Sequence, residues 1–312
     1  MKQLAAAMSL VAGTLMMAAP AIAQNEGEGN AQAVVTVLPA HDNQQPGDVA
    51  QQNLTLKVNG KTSTITNWIP LRGQNDNLEL VVLIDSAARA SMGTQLSEIG
   101  DFVKTLPAGS KVAVAYMENG RAVFSGPLTT DHAQAARGVH LPSGVAGISA
   151  SPYFCLSDLA QHWPSNDRAA RREVVMISDG VDNYSPRYDP EDPYVQAAIT
   201  DAVRAHLVVY SIYWQDRGRF ARSMWGTDAG QNLLLLVTEA TGGNSYWEGY
   251  GDPVSFQPYF KDLDRRLQNQ YELSFNSPLK GKPQMANLKL KANGIGDKID
   301  APQQVMVNRS GM

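Results

Sequence analysis

Two apolar runs of this chain end in the same way: LELVVLID stops at Asp85, and REVVMISDG stops at Asp179. An apolar run without polar alternation makes a strand buried on both faces, and such a strand needs helices above and below it. In an open parallel sheet, ligands bind outside the carboxyl ends of the strands, so a carboxylate in that position marks a candidate site. After Asp85 come the small residues and hydroxyls of SAARASMGTQ, the composition of a loop rather than of a continuing strand.

The pattern from Leu78 onward alternates strands with helices. SMGTQLSEIGDFVKTL places Leu96, Ile99, Phe102, Val103 and Leu106 on one helical face, and Pro107 with Gly109 stops it. KVAVAYM and RAVFSG, separated by Glu118-Asn119-Gly120, predict a hairpin, and SPYFCLSDLAQHWP and DPYVQAAITDAVRAH predict helices. LVVYSIYW reads as a strand, GQNLLLLVTEATGG as a helix closed by Gly242-Gly243, and NSYWEG as a short strand. DPVSFQPYFKDLDRRLQNQ sets Phe256, Phe260, Leu263 and Leu267 on one face before the strand YELSF. The expected fold class is α/β: a doubly wound, Rossmann-like, mostly parallel sheet with flanking β segments from both termini.

At 312 residues and 43% hydrophobic, the chain can bury one sizeable core and a smaller module. Residues 1–23 read as a signal peptide: Lys2, an apolar run, then Ala21-Ile22-Ala23 before Gln24, with the cut after Ala23. Residues 24–77 form a polar Gly-rich lead-in and a small β module with the hairpin signal Asn59-Gly60. Residues 78–276 form the α/β domain, and 277–312 a C-terminal β segment packing with the N-terminal module. The expected location is periplasmic or secreted. The single Cys155 excludes an intramolecular disulfide. A formal charge of −4 with mixed signs throughout argues against nucleic acid, and no segment of the mature chain has membrane-spanning length.

The order of strand, Asp and hydroxyl loop, then REVVMISDGVDN, VVYSIYW, LLLVTEATGGNSYW and DLDRRLQNQYELSF resembles the von Willebrand factor A domain. More narrowly it is similar to bacterial secreted proteins carrying a VWFA-related domain, in which a similar Thr-Gly-Gly and Gln-Tyr-x-Leu occur. The resemblance covers about Leu78 to Phe275. It implies a metal ion dependent adhesion site of Asp-x-Ser-x-Ser, a Thr from a second loop and an Asp from a third. On this chain the matching positions are Asp85, Ser151 at the Thr position, and Asp179. The two serines fall at Ala87 and Arg89, so the site is degenerate. The expected cofactor is none, or a weakly bound Mg²⁺ or other divalent cation.

The resemblance implies a non-enzymatic, exported, adhesion-type module that binds a protein partner through these loops. Arg89 is expected to offer a guanidinium, and Trp247 and Tyr250 in YWEGYGDP to contact the partner. The alternatives are a hydrolase using the strand-end carboxylates, or a structural envelope component. Against the hydrolase, no Gly-x-Ser-x-Gly elbow or Walker loop is present, and the residue two after Asp85 is Ala87. Asp85 and Asp179 can also serve structurally by accepting backbone N–H bonds of the turns that follow them. Asp189, Glu191 and Asp192 in YDPEDPY lack the spacing and glycine of a calcium loop and read as a solvated loop.

Overall fold

The computed structural model describes residues 27–39, 41, 49–86, 92–142, 149–182, 184–185, 189–215, 224–279, 281–293 and 297–309. The expected signal peptide, 1–23, and position 89 lie outside the described residues. The chain opens with strands β1 (Gly27–Leu38), β2 (Leu54–Val58), β3 (Lys61–Thr62) and β4 (Thr64–Pro70). It continues with β5 (Leu78–Asp85), helix α1 (Thr94–Thr105), β6 (Lys111–Glu118), β7 (Arg121–Phe124), α2 (His132–Ala136) and α3 (Pro152–Gln161). Then come β8 (Arg171–Ser178), α4 (Pro193–Arg204), β9 (Leu207–Tyr213), α5 (Met224–Thr241), β10 (Ser245–Tyr246) and α6 (Gln257–Gln268). Strands β11 (Gln270–Leu279), β12 (Gln284–Ala292), β13 (Lys298–Asp300) and β14 (Gln304–Arg309) complete it.

Among the described residues the strands form two sheets. The first has the order β10-β9-β8-β5-β6-β7, with parallel pairing except for β7, which returns beside β6. That return is made by Asn119 and Gly120, whose φ values of 47° and 78° suit the tight turn of a two-residue hairpin. Alternate residues of β5 face opposite ways. Leu80, Val82 and Ile84 pack with Ile99, Phe102 and Val103 of α1 and Phe260 and Leu263 of α6. Val81 and Leu83 pack with Tyr153 and Leu156 of α3, Ile199 of α4 and Leu233 and Leu234 of α5. Each such apolar side chain gains about 1.5–3 kcal/mol on burial, which is why the run in β5 needs helices on both sides.

The expectation of one doubly wound, mostly parallel sheet with flanking β segments is corrected by the second sheet. This is an eight-stranded antiparallel sheet of order β3-β2-β12-β14-β1-β11-β4, with β13 also paired to β1. It draws on both ends of the chain and is the larger of the two, so the architecture is mixed. The sheet is curled, and its edge strands β3 and β4 are neighbours in sequence, separated by Ser63. Its core is Val35 of β1, Leu56 and Val58 of β2, Leu273 and Phe275 of β11, Leu288 of β12 and Val307 of β14. Within the polar lead-in, the residues from Gly27 on belong to β1 and pair with β11. Gly29 is needed there: a Cβ would sit 2.7 Å from Asn308 O.

The two sheets meet at the amino end of β8. Arg171 donates to Leu267 O at 2.8 Å, to Asp76 Oδ1 at 2.7 Å and to Gln270 Oε1, and Gln270 donates to Tyr210 Oη at 2.9 Å. Glu173, fully buried, lies with Oε1 3.7 Å from Arg171 Nε and makes no well-formed hydrogen bond among the described residues. Burial pushes its carboxyl up to about 7, against the opposing pull of Arg171, Gln270 and Tyr210.

Candidate functional site

The parallel register pairs Ile84 with Ile177, so Asp85 and Ser178 leave the sheet side by side. Ser178 Oγ donates to Asp85 Oδ2 at 2.8 Å and accepts from Gly180 N–H at 3.1 Å. Asp179 is buried, and its Oδ1 accepts from Val181 N–H at 2.9 Å, the turn-forming bond that its side chain suits. Gly180 has φ +68°, and α5 presses against this turn at Gly230, where a Cβ would lie 1.9 Å from Asp179 O. A side chain at either glycine would force the turn off the helix.

The second loop joins the same rim. Asn119 Oδ1 accepts from Ser149 N–H at 3.2 Å, and the Ser151 hydroxyl caps α3 by accepting from Phe154 N–H at 3.4 Å. Tyr153 donates its hydroxyl to Gly180 O at 2.7 Å, tying this loop to the Asp179 turn. Burial holds the Tyr153 phenol well above its ordinary pKa, and the charges of Asp179, Asp182 and Asp192 add to this. Burial also raises the Cys155 thiol, with the Asp85 carboxylate the next cause. This lone cysteine is therefore a neutral packing group.

Asp85, Ser151 and Asp179 thus stand on one rim; of the other expected contacts, Arg89 lies outside the described residues, and Trp247 and Tyr250 are placed by the strand next to β9. Trp247 and Tyr250 follow β10 and are 38% and 55% exposed. Their loop is anchored by Gln231 Nε2 to Gly249 O at 2.8 Å, by Gln215 N–H to Asp252 Oδ1 at 2.6 Å and by Gln95 Nε2 to Val254 O at 3.0 Å.

The rim is a poor fit for a tightly held cation. An oxygen of Asp85, of Ser151 and of Asp179 each accepts a hydrogen bond from the protein itself. Among the described residues, no group of three or more His, Cys, Asp and Glu is placed to hold a metal. The sequence puts Ala87 and Arg89, neither with an oxygen ligand to offer, where the resemblance implies hydroxyl ligands. Ser86 contributes a fully buried hydroxyl without a hydrogen bond among the described residues, a single oxygen against the several such an ion needs.

The Thr-Gly-Gly motif proves structural. Thr241 Oγ1 accepts from Val209 N–H at 3.1 Å, Gly242 takes φ +88°, and a Cβ on Gly243 would lie 1.8 Å from Val209 O. Sequence reasoning missed Ser178, Tyr153, Asp182, Tyr184 and Tyr194 at the rim. Asp182 was visible four residues beyond Ser178 in SDGVDN, and the two tyrosines lay within the Pro-rich YSPRYDPEDPY.

No family model matches the chain, and no curated protein matches it. Several solved structures are similar. BatB from Bacteroides thetaiotaomicron is 16% identical, with a TM-score of 0.43, over 61% of this chain and 97% of that one. Proximal thread matrix protein 1 from the mussel byssus, with a zinc-occupied MIDAS motif, is 15% identical, with a TM-score of 0.42, over 65% of this chain and 47% of that one. The SpRpn10 VWA domain is 13% identical, with a TM-score of 0.36, over 60% of this chain and 93% of that one. The α/β layer is similar to domains of von Willebrand factor A type in this sense, and no ligand, metal or partner is carried over from them. Among the described residues no helix is long and apolar enough to cross a membrane.

Proposed function

We propose that this is an exported, non-enzymatic, adhesion-type module that binds a protein partner through the rim loops around Asp85, Ser151 and Asp179. The observation that carries this reading is where the exposed large apolar side chains lie. Of the nine among the described residues, seven follow the carboxyl ends of parallel strands: Tyr184, Tyr194, Met224, Trp225, Trp247, Tyr250 and Val254. Aromatic residues exposed together on one rim are the usual anchors of protein interfaces. The carboxylates set among them give orientation and partner selection more than raw affinity. Metal dependence is weak or lost on this reading, for the reasons of fit given above.

Site-specific photo-crosslinking in the native envelope tests it. A crosslinking residue in place of Trp225 or Tyr250 should give a discrete protein adduct, and one in place of the exposed Thr66 of β4 should give none. Adducts of equal yield from both places, or none from the rim, would overturn the proposal.

A further inference from the structure

The rim corner between α3 and α4 carries a second arrangement that the expected adhesion site does not use. Phe154, Tyr184 and Tyr194 form a three-ring cluster, with centroids 4.9 Å apart for Phe154–Tyr194, 5.2 Å for Phe154–Tyr184 and 5.5 Å for Tyr184–Tyr194, all tilted or edge-on. Tyr184 remains 50% exposed and Tyr194 36%, so part of each side chain meets solvent. Beside the rings, Asp182 is only 3% exposed. Its Oδ1 accepts from Tyr184 N–H at 2.9 Å and Ser185 N–H at 3.2 Å. Its Oδ2 has no well-formed hydrogen bond among the described residues; the neighbouring Ser151 hydroxyl accepts from Phe154 N–H and turns its own proton toward this carboxylate.

Resting on the rim reading above, we infer that this corner receives the cationic side chain, Arg or Lys, of a protein partner, without a metal. The charge balance selects that sign. In sequence, residues 182–194 carry Asp182, Asp189, Glu191 and Asp192 against Arg187, a net of −3 (one minus four). The amino ends of α3 and α4 open here and together contribute about one positive charge, which leaves the segment net negative. The acidic groups are also held in place: Asp192 Oδ1 accepts from Tyr194 N–H at 2.8 Å, and Asp189 Oδ1 from Glu191 N–H at 2.9 Å. A guanidinium or ammonium lying over the Tyr184 and Tyr194 rings gains a cation–π contact and the attraction of the carboxylates beside them, Asp182 included. A partner carboxylate, the group that would complete a metal's coordination shell, would be repelled.

The test uses the mature chain in metal-free buffer and three capped hexapeptides identical except for one central Arg, Lys or Glu, with binding followed by NMR of the tyrosine rings. The Arg and Lys peptides should move the Tyr184 and Tyr194 resonances and weaken with added salt, and the Glu peptide should not bind. Asp182→Asn, which keeps the Oδ1 acceptor, and Tyr184→Leu should each weaken Arg-peptide binding at least tenfold, whereas Tyr184→Phe should restore it. Because Tyr184 is exposed, its variants keep the test valid if Asp182→Asn unfolds the chain. Equal binding of Arg and Glu peptides, indifference to both weakening variants, or a requirement for Ca²⁺ or Mg²⁺ would overturn the inference. If it falls while the rim crosslinks persist, the interaction reading stands; if the crosslinks fail too, both go.

Discussion

Strand β8 carries acidic chemistry at each end, and the two ends treat it differently. At the amino end, Glu173 is fully buried between the two sheets, with Arg171 its nearest cation and Gln270 and Tyr210 near it. At the carboxyl end, Asp179 and Asp182 spend oxygens on backbone N–H groups of their own turns and stand at the rim. The difference lies in the company each carboxyl keeps: at the amino end its neighbours come from another layer and bury it, whereas at the carboxyl end its neighbours are its own loop and it fixes the turn. A buried carboxylate costs several kcal/mol unless paired, so the amino end is where stability should respond to substitution.

The largest expected effect follows from removing the cation at that end. Arg171→Met leaves Glu173 without its counter-charge and cuts the bonds to Leu267 O, Gln270 and Asp76, and should cost about 3–5 kcal/mol in urea unfolding at pH 7. A loss under 1 kcal/mol would erase the contrast between the two ends. A smaller effect attaches to the proton on Glu173. Its folded pKa of about 7 lies above the ordinary 4.5, so the folded chain holds the proton more tightly, and stability should fall as pH rises between those values. Glu173→Gln should flatten that slope and be the more stable form at pH 8, by up to a few kcal/mol at about 1.4 kcal/mol per pH unit. Parallel pH curves for the two proteins would break the argument. The smallest effect belongs to the rim: 10 mM Mg²⁺ against EDTA should leave the melting temperature unchanged. A site saturated at 100 times its Kd would add about 2.7 kcal/mol, so an upward shift would restore the metal to the rim.

Much of the α/β layer was legible in the sequence because its signals are local. The apolar runs of β5 and β8, the helical faces of α1 and α6 and the Asn119-Gly120 turn each declare themselves within about a dozen residues. The antiparallel sheet was not, since its pairings are distant: Gly27 of β1 stands opposite Leu279 of β11, and the polar composition of residues 27–32 hid a strand. At the rim, Asp85 and Asp179 were readable from their position after apolar runs. The aromatic corner was not, because Phe154, Tyr184 and Tyr194 come from three separate segments and meet only in the folded chain.

The weave of β1 between β11 and β14 has a consequence for the order of events during folding. Glu28 and Asn276, joined at 2.9 Å, lie 248 residues apart in the chain, so β1 has no seat until almost everything after it has been made. Closing so long a loop is slow compared with assembling the α/β layer, whose strands pair over shorter spans. During synthesis, β1 therefore waits as an unpaired edge while the middle of the chain matures, and anything that shields it in that interval governs the yield of native protein.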